Sequence, residues 1–337
     1  MTMRIGFVYD ARDEYLALGY SELEVAEFDT ASTIEEIEAA MRRCGASVER
    51  VGRGQALARR LAAGDRWDLV FSIAEGVHGR AREAQVPALC EMFDQAYAFS
   101  DPLTMAATLD KVVAKRLVRD QGVPTADFAL LRRPGDAQSV GLAFPLFVKP
   151  VAEGTGKGCE AASIVYDRAE LEEAAARLIG RFTQPAIAEP FLPGREFTVG
   201  IIGNEAQAEV IGVLEITLRP EVEDRVYSFD NKEECESRVI YSLANDPEAQ
   251  LAGRLALDAY HALDCRDAAR VDMRSDAAGV PQFLEVNPIA GLHPVHSDLP
   301  MLSEMAGHSY DWLIGGILDA AAGRLGLDRA MLISVAA

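Results

Sequence analysis

RVDMRSDAAGVPQFLEVNPIAG, Arg270 to Gly291, carries Glu285 and Asn287 two residues apart in an apolar run that breaks at Pro288 and Gly291. Residues i and i+2 of a strand face the same way, so Glu285 and Asn287 share one face, about 7 Å apart, while Leu284 and Val286 point to the other. The turn residues Asp276 to Gly279 make the stretch a β-hairpin that brings Asp272 across from Glu285. Three oxygen donors then converge. Carboxylates with a carbonyl suit Mg²⁺, which keeps several waters and usually shares its remaining positions with phosphates. The same residues also fit a solvated strand end, and this stretch alone leaves both readings open.

The chain of 337 residues exceeds the usual span of one domain, so two or three units in one body are expected. Hydrophobic residues at 49% and charged residues at 26% describe an ordinary globular protein with sizeable cores. A formal charge of −20 argues against a nucleic-acid or anionic-membrane surface, which needs clustered Lys and Arg, while leaving room for a polyphosphate in a local basic cradle. No run of about 18 apolar residues occurs, and MTMRIGFVYD opens as a strand rather than an export signal, so a cytoplasmic location is expected. Cys44, Cys90, Cys159, Cys235 and Cys265 stand singly, which suggests neither a zinc knuckle nor a redox dithiol. His293 and His296 have a spacing found in some metal sites but lack further soft ligands nearby.

Organisation along the chain is α/β. MRIGFVY, ASVERVG and DLVFSIAEG read as strands separated by helices, the first of them STIEEIEAAMRRCG with a Ser32–Glu35 capping box and Gly45 as its stop. That alternation implies a parallel sheet, with AYAF as a fourth strand and the first unit closing near Asp101. The second unit, 102–185, starts with one long helix, TMAATLDKVVAKRLVRDQG. FPLFVKP and CEAASIV then form an antiparallel pair around a Gly-rich flap. The third unit, 186–325, holds AIAEPF, EFTVGIIG and AEVIGVLEI, a long helix, the hairpin and a closing helix, and reads as a mixed sheet.

In VKPVAEGTGKGC, Gly154, Gly156 and Gly158 free backbone N–H groups to approach an anion, beside Lys149 and Lys157. A plain flap turn explains the same glycines. Lys111 in LDKVVAKR sits early on a helix with no apolar reason to be there, and alone it is as well explained as a surface charge. Glu189 and Glu196 flank PFLPG, an arrangement able to receive an adenine edge and a ribose.

Together, LDK, FVKP-x-x-EG-x-x-x-G, EPFLPGREFTVGI, ARVDM and FLEVN-x-x-x-G occur in an order that resembles the ATP-grasp superfamily, most closely the D-alanine:D-alanine ligase family. The resemblance implies three units: an N-terminal parallel-sheet domain, a central flap-bearing subdomain and a C-terminal catalytic subdomain. It implies ATP-driven amide ligation, in which a carboxylate attacks the γ-phosphate and an amine displaces phosphate from the acylphosphate. Lys111 and Lys149 would hold phosphates under a flap that includes Glu153, Gly154, Thr155 and Gly156. Glu189 with the Phe191–Leu192 backbone would hold adenine, and Glu196 the ribose. Asp272, Glu285 and Asn287 would hold two Mg²⁺ ions, with Mn²⁺ as a substitute. Arg270 and the Gly291 N–H would stabilise oxyanions, and Ser297 would receive the second substrate's carboxylate. A homodimer acting on small amino-acid-like substrates, without nucleic acid or membrane, completes the expectation.

Departures gather on the amino-acid side. VYDARDEYLALGYSELEVAEFDT replaces the family's glycine-rich first loop, and Glu27 can serve as the amino-group glutamate only with a shifted alignment. Thr155-Gly156 stands where paired serines are usual, and Glu233 follows Lys232 where a tyrosine is usual. The expected function is therefore a carboxylate–amine ligase for an amino acid or small metabolite acid. Housekeeping D-alanyl-D-alanine synthesis and a non-catalytic ATP-binding regulator are the alternatives.

Overall fold

The computed structural model describes residues 2–219 and 235–327. Strands β1 (Arg4–Val8), β2 (Ser47–Gly52) and β3 (Leu69–Ser72) form a parallel sheet in the order β2-β1-β3. Ile5 and Phe7 pack with Ile34 and Ile37 of the helix Ala31–Arg43, whereas Val8 packs with Leu57 and Leu61 of the helix Gly54–Ala62. Helices on both faces are what βαβ crossovers impose on a parallel sheet. AYAF is not a fourth strand: Tyr97 makes a single parallel bridge to Val70, after which Phe99 adopts φ 72° and the chain turns away. The first helix is capped not by Ser32 and Glu35 but by Thr30, whose Oγ1 accepts from Thr33 N at 3.3 Å.

The long helix expected after Asp101 is two. Asp110, with φ −86° and ψ 99°, ends Pro102–Leu109, and its carboxylate accepts from Val112 N and Val113 N at 3.1 Å to cap Lys111–Asp120. Lys111 thereby becomes the first residue of a helix. The central sheet runs β4-β7-β5-β6, built from β4 (Ala129–Leu131), β5 (Leu146–Pro150), β6 (Ile164–Val165) and β7 (Ala186–Pro190). β7, read from the sequence as opening the third unit, pairs antiparallel with β5 and sets Glu189 opposite Phe147. CEAASIV shrinks to a two-residue strand because Ser163 Oγ bonds Gly158 O and Glu160 N, closing a local turn instead of a ladder.

The third sheet, β10-β9-β8-β11-β12, comprises β8 (Glu196–Ile202), β9 (Glu209–Leu218), β10 (Val239–Leu243), β11 (Ala268–Ser275) and β12 (Pro281–Asn287). It is antiparallel at every pairing rather than mixed. The β11–β12 hairpin turns where expected, with Gly279 N donating to Asp276 O at 3.1 Å. Its register sets Asp272 opposite Glu285 and Arg270 opposite Asn287. Alanines of the helix Pro247–Ala262 share a core with Phe197, Val199, Val271 and Phe283 of this sheet. The closing helix Tyr310–Leu325 does not stay with its own unit: Leu313, Ile314, Ile317 and Leu318 join the core of Ile5, Phe7 and Phe71. Arg43 clasps Asp311 at 2.6 Å across that junction. Among the described residues no helix is long and apolar enough to cross a membrane.

Candidate active site

Two cavities meet between the sheets. The first is lined by Phe147 and Lys149 of β5, Glu189 of β7, the Pro190–Leu192 turn, Ile216 of β9 and Leu284 of β12. Glu196, Asp272 and Glu285 reach the same cleft, as do Glu153, Gly156 and Lys157 of the flap. The second, of about 550 Å³, is lined by Glu27, Gly154, Thr155, Arg270, Asn287, Gly291 and Ser297, among others. Lys111, Glu153 and Glu285 border both. Every proposed site residue among those described thus lines one cavity or the other, in two groups that adjoin. Lys232 and Glu233 lie outside the described residues.

At the inner end of the first cleft, buried charges form a chain. Lys115 Nζ stands 2.6 Å from Glu189 Oε1, and Lys149 Nζ stands 3.2 Å from Glu189 Oε2. Burial alone would raise the Glu189 pKa, but the two lysines more than offset it and hold the carboxyl below its usual range. Burial pushes Lys115 the other way, down to about 8, despite its carboxylate partner. Near the cleft mouth Glu196 takes Arg274 at 2.9 Å, and the Arg274 guanidinium lies 5.3 Å from the centre of the Phe191 ring. That stacked cation fixes the Phe191–Leu192 turn against the cleft.

Where the cavities join, Lys111 Nζ is 2.9 Å from Glu285 Oε2 and donates to Glu153 O at 2.6 Å. Arg270 reaches both oxygens of Asp272 at 3.1 Å, and its other nitrogen lies 3.3 Å from Asp298. Thr198 Oγ1 donates to Asp272 Oδ1 at 2.7 Å, which fixes the carboxylate plane. Although burial opposes its charge, Asp272, Asp298 and Glu285 together hold the Arg270 pKa above its usual value, so it is a permanent cation. Asn287 Nδ2 is buried with no hydrogen-bond partner. Gly291 has a steric reason: a Cβ there would sit 2.8 Å from Ser297 Oγ. Ser297 Oγ in turn accepts from His293 N at 3.0 Å. His293 Nδ1 is turned to the backbone, accepting from Val295 N and His296 N at 3.2 Å. Among the described residues no group of three His, Cys, Asp or Glu side chains could hold a metal. The oxygen set Asp272, Glu285 and Asn287 has two carboxylates and one amide, the hard donors that suit Mg²⁺.

The flap is latched to the N-terminal unit. Glu27 accepts from Gly154 N at 2.5 Å and pairs with Arg82 at 2.7 Å and Lys157 at 3.3 Å. Thr155 adopts φ 49° and Gly156 φ 74°, a left-handed pair within the flap. Glu27 therefore reaches the second cavity from the substituted first loop, yet its carboxylate is already engaged by the flap.

Sequence reading missed several residues. Lys115 lies four positions after Lys111 on one helix, a spacing that puts both on one face. Asp298, which orients Arg270, follows Ser297 directly.

Comparisons with known proteins agree with this geometry. Residues 117–319 match the family model described as "D-ala D-ala ligase C-terminus". An uncharacterised protein y4sG of Sinorhizobium fredii is 36% identical over 261 residues, 75% of this chain and 74% of that one. A D-alanine–D-alanine ligase of Marinomonas is 32% identical over 265 residues, covering 77% of this chain and 79% of that one. The solved D-alanine–D-alanine ligase from Bacillus anthracis complexed with ATP shares the fold with a TM-score of 0.72 at 22% identity, over 96% of this chain and 98% of that one. On the family match, on sequence identity across three quarters of its length and on its fold, this chain belongs to the D-alanine:D-alanine ligase family of the ATP-grasp superfamily.

Proposed function

We propose that this ATP-dependent C–N ligase activates the carboxylate of an amino acid or small metabolite acid as an acylphosphate and transfers it to an amine. The observation that carries the proposal is the junction of the two cavities at Lys111, Glu153 and Glu285, with Arg270 beside it. An elongated cleft with apolar walls and a cationic inner rim opens there onto a separate polar chamber, the arrangement an in-line transfer between two substrates needs.

In this reading Phe147, Ile216 and Leu284 bracket the adenine, the Phe191–Leu192 backbone meets its edge and Glu196 meets the ribose. Lys111 and Lys149 hold phosphates under the Gly154–Gly156 turn. Asp272, Glu285 and Asn287 hold Mg²⁺, which when bound would neutralise charge on the transferring phosphoryl oxygens. In the second chamber, a substrate carboxylate oxygen bonds to the γ-phosphorus as the bridging P–O bond breaks and ADP leaves. An amine nitrogen then attacks the acyl carbon, loses its proton, and the C–O bond to phosphate breaks. Arg270, kept charged and aimed by Asp272 and Asp298, offsets the negative charge of both steps, and Gly291 N–H adds a donor that no side chain obstructs.

D-alanyl-D-alanine synthesis remains the alternative within this chemistry, supported by the names of relatives such as the Marinomonas enzyme. Phosphate release from ATP across panels of D- and L-amino acids, singly and in pairs with mass detection of products, separates the two. A new amide other than D-alanyl-D-alanine supports the proposal; robust and selective D-alanyl-D-alanine formation replaces it.

A further inference from the structure

The second chamber is lopsided in charge. Glu27, Asp29, Glu75 and Glu83 line it from the N-terminal unit, and Glu153 from the flap. The cations behind this wall are committed. Arg82 binds Glu27 at 2.7 Å, lies 3.8 Å from Glu83 and donates to Ala152 O at 2.9 Å, while Lys157 pairs with Glu153 at 2.5 Å and with Glu27 at 3.3 Å. Five carboxyl groups therefore meet two cations. Arg12 on the rim is paired with Glu22 at 2.8 Å. Lys111, which also donates to Glu153 O at 2.6 Å, is paired with Glu285, and Arg270 with Asp272 and Asp298.

Protons make up the deficit. Glu75 and Glu83 act on one another as neighbouring carboxyl groups, and two ionised carboxylates so placed repel. Burial pushes Glu75 well above the usual carboxylate range and Glu83 to about 7. Burial and the neighbouring Asp10 likewise bring Asp29 to about 7. A wall whose carboxyl groups keep part of their protons near neutral pH accepts a cation by releasing them. Two polar atoms of residues on the chamber's lining, Thr155 Oγ1 and Asn287 Nδ2, are buried with no hydrogen-bond partner in the protein. Buried polar groups left unpaired are costly, so a ligand that meets them is favoured.

We propose that the carboxylate donor is an amino acid with a basic side chain, a diamino or guanidino acid, whose cation lodges against Asp29, Glu75 and Glu83 while its carboxylate faces Arg270. This rests on the ligase reading above and narrows it. The carboxyl groups of Asp29, Glu75 and Glu83 and the guanidinium of Arg270, which line the same chamber, orient such a molecule head to tail. A methyl side chain in the same place leaves the carboxyl wall without a partner.

Binding is tested first without chemistry. Calorimetry on the full chain with Mg²⁺ and a non-hydrolysable ATP analogue compares D- and L-ornithine, lysine and arginine with their neutral counterparts norvaline, norleucine and citrulline. Basic acids are expected to bind about tenfold tighter or more, with proton release at neutral pH seen as a buffer-dependent heat. Glu75→Gln and, separately, Glu83→Gln should remove the preference and the proton release while leaving affinity for the nucleotide analogue unchanged. Equal or tighter binding of neutral acids, no binding of any basic acid, or a preference that survives both substitutions would overturn the proposal. Selective binding of a basic acid without ATP turnover on adding amines would instead overturn the ligase reading and leave this one standing.

Discussion

Lys115→Met deletes an ammonium while keeping most of the side chain's length, at a position with no solvent exposure. Its Nζ has three partners: Glu189 Oε1 at 2.6 Å, Thr125 Oγ1 at 2.7 Å and Phe283 O at 2.8 Å. Two of the three survive the deletion, because Thr125 Oγ1 also donates to Phe283 O at 2.8 Å. Glu189 does not fare as well; it keeps only Lys149 at 3.2 Å. Breaking a buried pair by removing one partner costs about 3–5 kcal/mol, and the remaining lysine brings the expected loss to roughly 2–4 kcal/mol. Urea unfolding at pH 7 of wild type, Lys115→Met, Glu189→Gln and the double variant reads the coupling directly. The double variant should recover part of the loss, since the Glu189 charge is then gone, while Lys149 loses the partner it had at 3.2 Å. A loss under about 1 kcal/mol for Lys115→Met, or purely additive effects, would refute the buried-pair argument.

Three further outcomes follow from the site. Arg270→Ala should lower the rate of the chemical step by about a hundredfold or more while changing ATP affinity little, because its charge acts on developing oxyanions; single-turnover kinetics beside nucleotide titration checks the split. Glu27→Gln weakens its ion pairs to Arg82 and to the flap's Lys157, so amide exchange at Gly154–Gly158 should quicken in the nucleotide-free protein and slow again with an ATP analogue. Asp29, raised by burial and Asp10 to about 7 in the fold, keeps a proton there that the unfolded chain gives up near pH 4. That contribution is present below about pH 4 and lost as pH rises through 7, so Asp29→Asn should gain on wild type by on the order of 4 kcal/mol between pH 4 and pH 8 in unfolding experiments.

Local chemistry was the legible part of this sequence. The hairpin register that opposes Asp272 and Glu285 follows from period-two alternation and one Asp–Gly-bounded turn, both written within eighteen residues, Arg270 to Asn287. Alternating strand and helix likewise disclose the parallel sheet, and Lys111, Lys149 and Glu189 stand out as charges in apolar surroundings. Long-range packing was less legible. Nothing near Leu313 or Ile317 states that their helix buries its apolar face against Phe7, three hundred residues earlier. Helix propensity carries straight through Asp110, and only its capping of the next helix breaks the run. Strand membership of β7 depends on which sheet offers an edge, which the pattern AIAEPF does not encode. Lys115 was hidden for the same reason, because a lysine between Lys111 and Arg119 looks like a solvated helix face until Glu189 arrives from seventy residues away.

Transfer of a carboxylate oxygen to phosphate is the most direct test of the proposed chemistry. The acid that supports turnover is supplied with heavy oxygen in its carboxylate, together with ATP, Mg²⁺ and the accepting amine in unlabelled water, and the released phosphate is analysed by mass spectrometry. Attack of the carboxylate on the γ-phosphorus requires each phosphate to carry one heavy oxygen and the amide product to have lost one. Unlabelled phosphate, with the label retained in the acid or its product, would mean that ATP is cleaved by water and that no acylphosphate forms.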